Sequence, residues 1–290
     1  LRMKKLSGDL CAAIAGRHTH PIAMTVGGFT HFPTHAELKA LRQRLVDGRV
    51  DVDATVDLFA QLPWPKFERE TEYVSLTKPD EYAFIDGDIL SSDGVRIPVE
   101  QYKELTNEYM VPHSSAKFTR HLRESYMVGA LARFNNNYDQ LHPRAKAAAE
   151  KLGMRPKVTN TFLNSAAQVV EIVHSSEDAI QLIDQLLERG VKPEAPAPVH
   201  LKPGAHGVGV CEVPRGMLIH SYTIDENGVM TGADCIIPTN QNVANLEYDM
   251  RSLVPQILDK PVEQMQLDLE MLVRAYDPCI SCSVHVMRVV

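Results

Sequence analysis

Asp277-Pro278-Cys279-Ile280-Ser281-Cys282-Ser283-Val284-His285 is the stretch on which the reading of this 290-residue chain turns. Two thiols three residues apart can grip one soft metal ion from a single loop, and Pro278 stops whatever helix precedes it so that the loop can turn toward that ion. The same spacing also serves half of a structural zinc site or a dithiol redox centre. Zinc needs two further ligands, of which His285 is one candidate. A thioredoxin-like dithiol opens a helix instead of following one. The other cysteines, Cys11, Cys211 and Cys235, stand singly and are expected to be small buried hydrophobes. A site needing four thiolates cannot therefore be closed by this chain.

Working back from the motif, Pro261 starts a helix over about 261–276 whose Val262, Met265, Leu269, Leu272, Val273 and Tyr276 share one face and deliver the chain to Asp277. Another helix is expected at about 243–258. Ahead of these, residues 207–237 read as strands (208–210, 217–224 and 229–237), with Asn227-Gly228 as a hairpin signal between the last two. Residues 191–203 hold four prolines and read as an extended linker. The stretch 98–190 reads as mostly helical, with helices at 126–133, 143–152 and 160–174 and a fourth opening at Ser175-x-x-Asp178. Small hairpin strands are expected within 72–98. Pro63-Trp64-Pro65 forms an extended corner, a weak helix fills 53–61, and Thr34-x-x-Glu37 is a capping box opening a helix over about 35–47. Residues 4–15 read as a structured segment. The expected class is α+β, mainly helical: a helical bundle (about 98–190) with small antiparallel β segments, the C-terminal one (205–240) carrying the active-site loops, and closing helices with the metal loop over 243–285.

Composition removes several functions. Lys and Arg number 30 against 37 Asp and Glu, a formal charge of −7, with no basic run, so nucleic acid is not an expected partner. The apolar stretches 22–26 and 169–173 fall far short of the roughly 20 residues of a spanning helix. Direct membrane insertion is not expected. Five cysteines are too few for a disulfide scaffold.

Two further segments hold candidate side chains. In Glu212-Val213-Pro214-Arg215-Gly216, a proline and a glycine bracket Arg215 between strands and restrict its backbone; unaided, the reading is a solvated arginine at a sheet corner. Ile237-Pro238-Thr239-Asn240-Gln241-Asn242 ends a strand in a polar turn that caps the next helix. The twelve histidines do not suggest a cluster: His31 and His35 straddle a proline, and His20 precedes Pro21. Asn135-Asn136-Asn137 reads as a helix terminator.

Together these segments resemble the large, catalytic subunit of [NiFe] hydrogenases. Asp277-Pro278-Cys279-x-x-Cys282-x-x-His285 is similar to that family's C-terminal metal motif at every defining position. Glu212-x-Pro214-Arg215-Gly216 with Ile219 to Tyr222, Pro238-Thr239-x-x-Asn242, and Gly16-Arg17-x-x-His20-Pro21 with Gly27-Gly28 resemble further family segments in the same order. Val111 to Lys117 and the Asn135 to Asn137 run look like the soluble, cytoplasmic branch, whose partners are NAD(P)-, deazaflavin- or heterodisulfide-linked modules.

The resemblance implies reversible cleavage of H2, with electrons leaving through an iron–sulfur small subunit. It implies that Cys279 is a terminal nickel ligand, that Cys282 bridges nickel and an iron carrying carbon monoxide and cyanide, and that His285, with the backbone carbonyl of Cys235, binds magnesium. Arg215 is then placed over the metals with Asp277 holding it, Arg215 or Cys279 handles the proton, and Pro214, Pro238 and Thr239 line the pocket of the diatomic ligands. It implies a maturation protease cutting after His285, removing residues 286–290 and leaving 1–285, together with nickel-insertion proteins. The family's first motif, R-x-C-G-x-C, has no counterpart here, which reads as an N-terminally truncated chain unable alone to hold nickel and iron. The competing readings are a non-catalytic zinc-binding protein using Cys279, Cys282 and His285, or a structural relative of quinone oxidoreductases.

Overall fold

A computed structural model describes residues 1–200 and 202–279. In chain order its elements are α1 (Arg2–Ala15), β1 (Met24–Thr25), β2 (Gly28–Phe29), α2 (His35–Ala60), β3 (Glu72–Thr77), β4 (Asp88–Ser91), β5 (Arg96–Ile97), β6 (Asn107–Tyr109), β7 (Phe118–Arg120), β8 (Tyr126–Met127), α3 (Ala130–Asn137), α4 (Pro143–Lys151), α5 (Asn164–Arg189), β9 (His206–Val213), β10 (Gly216–Ile224), β11 (Met230–Ile236), α6 (Pro238–Ile257) and α7 (Val262–Ala275). The α+β class with small sheets holds. No helix among the described residues is long and apolar enough to cross a membrane. Contacts divide the chain into two compact units, one of residues 1–62, 142–152 and 169–202, the other of 63–141, 153–168 and the remainder from 203.

In the first unit, Leu6 of α1, Leu38, Leu41 and Leu45 of α2, and Ile180 and Ile183 of α5 form the apolar core. Thr34 and Glu37 make the reciprocal capping box read from the sequence. The two helices expected at 35–47 and 53–61 are one 26-residue helix, continuous through Gly48. A Cβ at Gly48 would lie 2.7 Å from the Met3 sulfur, so the glycine admits a close crossing of α1. The break expected at Ser175 is also absent. Ser176 bonds back to the Ile172 carbonyl at 2.7 Å, and Glu177 is buried under Arg49 and Arg144, so the polar run lies inside one continuous helix. Arg49 grips Glu177 with two bonds, of 2.8 and 2.6 Å.

The second unit holds three of the sheets. β5-β4-β3-β8 is four-stranded and mixed, with β8 parallel to β3; β11-β10-β9 is an antiparallel meander; β6 and β7 pair alone. Val74, Leu76, Ile89, Tyr126, Val128, Met217, Ile219 and Ile236 meet in one core. Residues 98–127, expected to be mostly helical, instead form a 3-10 stretch and three short strands, and the helix expected from 126 begins at Ala130. The pattern there is short and aromatic, and strand pairing, of β8 with β3 and of β6 with β7, outweighs local helix preference. The asparagine run does end α3, and it also binds strands: Asn136 and Asn137 both donate to Ser75, and Asn137 donates to the Leu76 carbonyl at 2.8 Å.

The end of α7 is anchored from below by a buried polar network. Asn245 on α6 accepts from Arg69 (2.6 Å), Thr71 (2.6 Å) and Ser125 (2.7 Å) and donates to the Tyr276 hydroxyl at 2.7 Å. Tyr276 and Thr161 each donate to one carboxylate oxygen of Asp249 at 2.6 Å, and Arg69 takes the other. Burial, with Asp249 alongside, holds the Tyr276 hydroxyl well above the usual phenol range, so it stays a donor.

Removing the Asp249 carboxylate takes from the Arg69 guanidinium its ion-pair partner and leaves it only the Asn245 oxygens. Asp249→Ala is expected to cost on the order of 3 kcal/mol, read as a lower denaturant midpoint, whereas exposed Asp86→Ala leaves it nearly unchanged. In the first unit, buried His174 accepts a bond from the His142 backbone N–H through Nδ1, and burial lowers its pKa despite Asp178 and Glu171. The unfolded chain therefore binds this proton first, and stability falls as pH drops below about 6.5, the ordinary histidine value. His174→Asn keeps an acceptor without the titration; its loss of stability between pH 7 and 5 is expected to be smaller than that of the parent.

Candidate active site

Three elements in the second unit converge on the loop that follows α7. The first is the β9–β10 hairpin, in which Val213 faces Gly216 and Pro214-Arg215 form a two-residue turn. Gly216 has φ 135°, and a Cβ there would lie 2.3 Å from a Val128 methyl. Only glycine fits. The Arg215 carbonyl accepts from Asn242 Nδ2 at 3.4 Å, and Asn242 also brackets Val128, accepting from its N–H at 2.9 Å and donating to its carbonyl at 3.3 Å.

The second element is the amino end of α6, where Pro238 occupies the first turn and Thr239 is buried. Thr239 Oγ1 accepts the Cys279 backbone N–H at 3.3 Å. That places Cys279 at the end of a helix whose outward N–H groups favour negative charge.

The third element is the start of α5. Asn164 accepts the Leu131 N–H at 2.9 Å and donates to the Ala275 carbonyl at 2.8 Å, tying the start of α3 to the last turn of α7. One turn on, Gln168 donates to Asp277 Oδ2 at 3.2 Å.

Asp277 has φ 49°, one of two non-glycine residues in the left-handed region among those described. Such a backbone costs of order 1–3 kcal/mol and persists only where the surroundings hold it. Here Arg274 O accepts its N–H at 2.9 Å, Arg215 Nε donates to its carbonyl at 2.5 Å, and Arg215 Nη2 lies 3.3 Å from Oδ1. Arg215 is thus not the freely solvated arginine that its local sequence suggests. It is half-buried and fixed across the loop, with Asp277 similarly exposed.

Of the sequence candidates, the structure brings together Arg215, Asp277, Cys279 and Thr239, with Pro238 beside Thr239. Pro214 lies exposed in the hairpin turn. Cys235 lies on β11 opposite His220. Its side chain and that of Cys11 are exposed, against the expectation of burial, while Cys211 is half-buried and its thiol is pushed up by that burial and by Glu212. Alternation along β11, with the apolar face spent on Ile236, puts Cys235 on the outer side; Cys11 lies on the outer face of α1. Cys282 and His285 lie outside the described residues, as do the residues of the expected cleavage and tail. Among the described residues no three His, Cys, Asp or Glu side chains converge to hold a metal ion. The donor chemistry of this loop nevertheless fits a soft metal: one sulfur from Cys279, a second from Cys282 in sequence, and a guanidinium that cannot itself be a ligand.

The residues that sequence reasoning missed are polar side chains that hold others in place: Gln168, Asn164, Asn245, Asp249 and Arg133. A signal for three of the buried polar positions of α6 was present. Asn242, Asn245 and Asp249 recur at spacings of three and four, a polar stripe where the helix must face a core.

Residues 91–285 match the family model described as nickel-dependent hydrogenase. The alpha subunit of sulfhydrogenase 1 from Pyrococcus furiosus is 36% identical over 292 residues, covering 99% of this chain and 67% of that protein. The corresponding F420-non-reducing hydrogenase chain of Methanothermobacter marburgensis is 26% identical over 316 residues, covering 98% and 64%. A solved NAD+-reducing [NiFe]-hydrogenase in the H2-reduced state superposes with a TM-score of 0.80 at 26% identity, over 97% of this chain and 67% of that one. The chain thus spans about two thirds of the length of the relatives it matches. It belongs to the nickel-dependent hydrogenases, a family of oxidoreductases that use H2.

Proposed function

We propose that this chain supplies the catalytic loops of a [NiFe] hydrogenase large subunit that interconverts H2 with two protons and two electrons, the electrons leaving through an iron–sulfur partner subunit. The observation that carries the reading is the fixing of Arg215 across Asp277, immediately before Cys279, in a chain whose residues 91–285 match the family model. A zinc-binding structural loop has no use for a guanidinium held there.

In this reading Cys279 and Cys282 would hold nickel and an iron carrying carbon monoxide and cyanide, a pair of metals that would supply a redox-active Lewis-acid centre for H2. Thr239 still has its hydroxyl proton after accepting from the Cys279 amide, so it can donate to a cyanide nitrogen, with Pro214 and Pro238 as the apolar wall. His285 and the Cys235 carbonyl are assigned to magnesium. The electron-transfer partner is assigned to an NAD(P)-, deazaflavin- or heterodisulfide-linked module and the compartment to the cytoplasm, with processing after His285 by a maturation protease once nickel-insertion proteins have acted. The beta subunit of the NAD-reducing hydrogenase HoxS of Cupriavidus necator, 34% identical over 170 residues that cover 56% of this chain and 34% of that protein, supports the NAD-linked alternative.

The chain's own part is electrostatic and positional. A guanidinium is a donor without a lone pair to offer, so Arg215 contributes charge and direction and not ordinary base catalysis. Its positive charge, locked toward the loop by Asp277, polarises H2 and stabilises the charge that develops as the bond breaks, while the Cys279 thiolate is the competing proton acceptor. Gln168 keeps the second Asp277 oxygen occupied, so the carboxylate cannot rotate away.

In the complete enzyme, Arg215→Lys is expected to retain nickel and iron while H2 uptake with a dye acceptor falls on the order of a hundredfold. Unchanged uptake would reject the role of Arg215. Cys279→Ser should lose nickel by elemental analysis, and zinc in the parent protein in place of nickel and iron would favour the structural reading. The intact mass of active enzyme should place the C-terminus at His285; a chain retaining Val290 counts against processing.

A further inference from the structure

Arg133, on α3, has no place in the chemistry above, yet its side chain is 1% exposed and its guanidinium is committed to three consecutive residues of the hairpin. Nη1 donates to Glu212 Oε2 at 2.8 Å and to the Val213 carbonyl at 3.0 Å, and Nη2 donates to the Pro214 carbonyl at 3.1 Å. The next residue is Arg215. Glu212, itself fully buried at its carboxylate, is held from the other side: Oε1 accepts the Leu76 N–H of β3 at 2.8 Å, and its own N–H donates to the Phe84 carbonyl at 2.6 Å. The Arg133 guanidinium also lies over the Phe84 ring, 5.8 Å from its centroid.

Resting on the assignment of Arg215 given above, we infer that Arg133 and Glu212 are positioning residues for Arg215. They fix the strand-to-turn backbone from one side while Asn242 holds the Arg215 carbonyl from the other. A buried ion pair is poor evidence for a purely stabilising role, because apolar residues of the same volume usually stabilise as well. What an apolar pair cannot do is bind the carbonyls of Val213 and Pro214, which set the direction in which residue 215 leaves the sheet. Close backbone packing completes the device: a Cβ at Gly129, the residue that precedes α3, would lie 3.1 Å from the Arg215 carbonyl. The Arg215 side chain therefore starts from a backbone held on every side and need order only its own rotamers.

The test uses the complete, metal-loaded enzyme and three variants: Arg133→Lys, the neutral pair Arg133→Gln with Glu212→Gln, and Arg215→Lys as reference. Four quantities are read: nickel and iron per chain, kcat, KM for H2, and the rate at which phenylglyoxal modifies Arg215, scored by peptide mass spectrometry. Lysine keeps the charge but cannot span a carboxylate and two carbonyls. Arg133→Lys is expected to keep the metals and KM, to lower kcat on the order of a hundredfold, the effect of a catalytic group displaced by about 1 Å, and to raise Arg215 labelling severalfold. Parental kcat and parental labelling in a folded, loaded variant would overturn the inference, as would loss of metals together with activity, since that marks a general fold determinant. If Arg133→Lys does not accumulate, the neutral pair decides by the same criteria, because it buries no lone charge; failure of both to fold also overturns it. Should Arg215→Lys leave turnover intact, the assignment of Arg215 falls, while labelling still reports whether Arg133 holds it.

Discussion

The carboxylate of Glu212 is sealed from water and has to be neutralised where it lies, and the guanidinium of Arg133 is what meets it. A buried carboxylate without such a partner costs several kcal/mol. The pairing draws α3, β3 and the β9–β10 hairpin to one point, since Glu212 also takes the Leu76 amide of β3. From that point the rest of the site follows by short steps. The hairpin turn presents Arg215, Arg215 crosses to Asp277, and Asp277 fixes the direction in which the chain proceeds to Cys279. A second buried knot, around Asn245 and Asp249, holds the preceding residue, Tyr276, so the loop is pinned at its root and from above.

The elements most legible in the sequence are those whose signal is local. The capping box at Thr34 and Glu37, the Asn227-Gly228 turn between β10 and β11, and the proline that opens α7 each state a backbone conformation in a few residues, whereas Pro238 to Asn242, read as a turn ahead of a helix at 243, already form the first turn of α6. Where the chain departs from the reading, a tertiary contact has outweighed a local signal. Gly48 and the Ser175–Asp178 run look like breaks because glycine and short polar residues weaken helices. In the fold, Gly48 admits Met3, and Glu177 finds two arginines, so both helices continue. Residues 98–127 carry no strong period, and their short strands form by pairing, β8 along β3 and β6 with β7, with α6 packed against β7 and β8.

The site divides along the same line. Asp277 and Cys279 stand in a short motif whose residue types already speak of metal, whereas Arg215 and Thr239 read locally as a solvated arginine and a capping turn and are placed at the site only by the resemblance of their motifs to the family's. Gln168, Asn164 and Arg133 stand in helices whose surrounding pattern is apolar, and nothing within a few positions says what they hold. Their partners lie 109, 111 and 79 residues away in sequence. Such residues become legible only through the rule that buried polar groups must be satisfied, applied once burial is known. The stripe Asn242, Asn245, Asp249 is intermediate: its period is visible in sequence, but its meaning needs the residues that face it.

The arrangement also bears on why the loop is held so firmly within the chain itself. An arginine side chain carries about 2 kcal/mol of rotamer entropy, and a left-handed aspartate adds strain of similar size. If these costs fell at the moment of reaction, they would raise the barrier; because four contacts hold Asp277 and the hairpin backbone is gripped by Arg133 and Asn242, they fall on folding. Charge aimed in advance at the place where charge develops needs no reorganisation when it does. On the proposed role of Arg215, glycine at 216 serves the reaction as well as the fold. A side chain there would push against Val128, move the turn, and release the arginine from the position for which the buried pair beneath it is built.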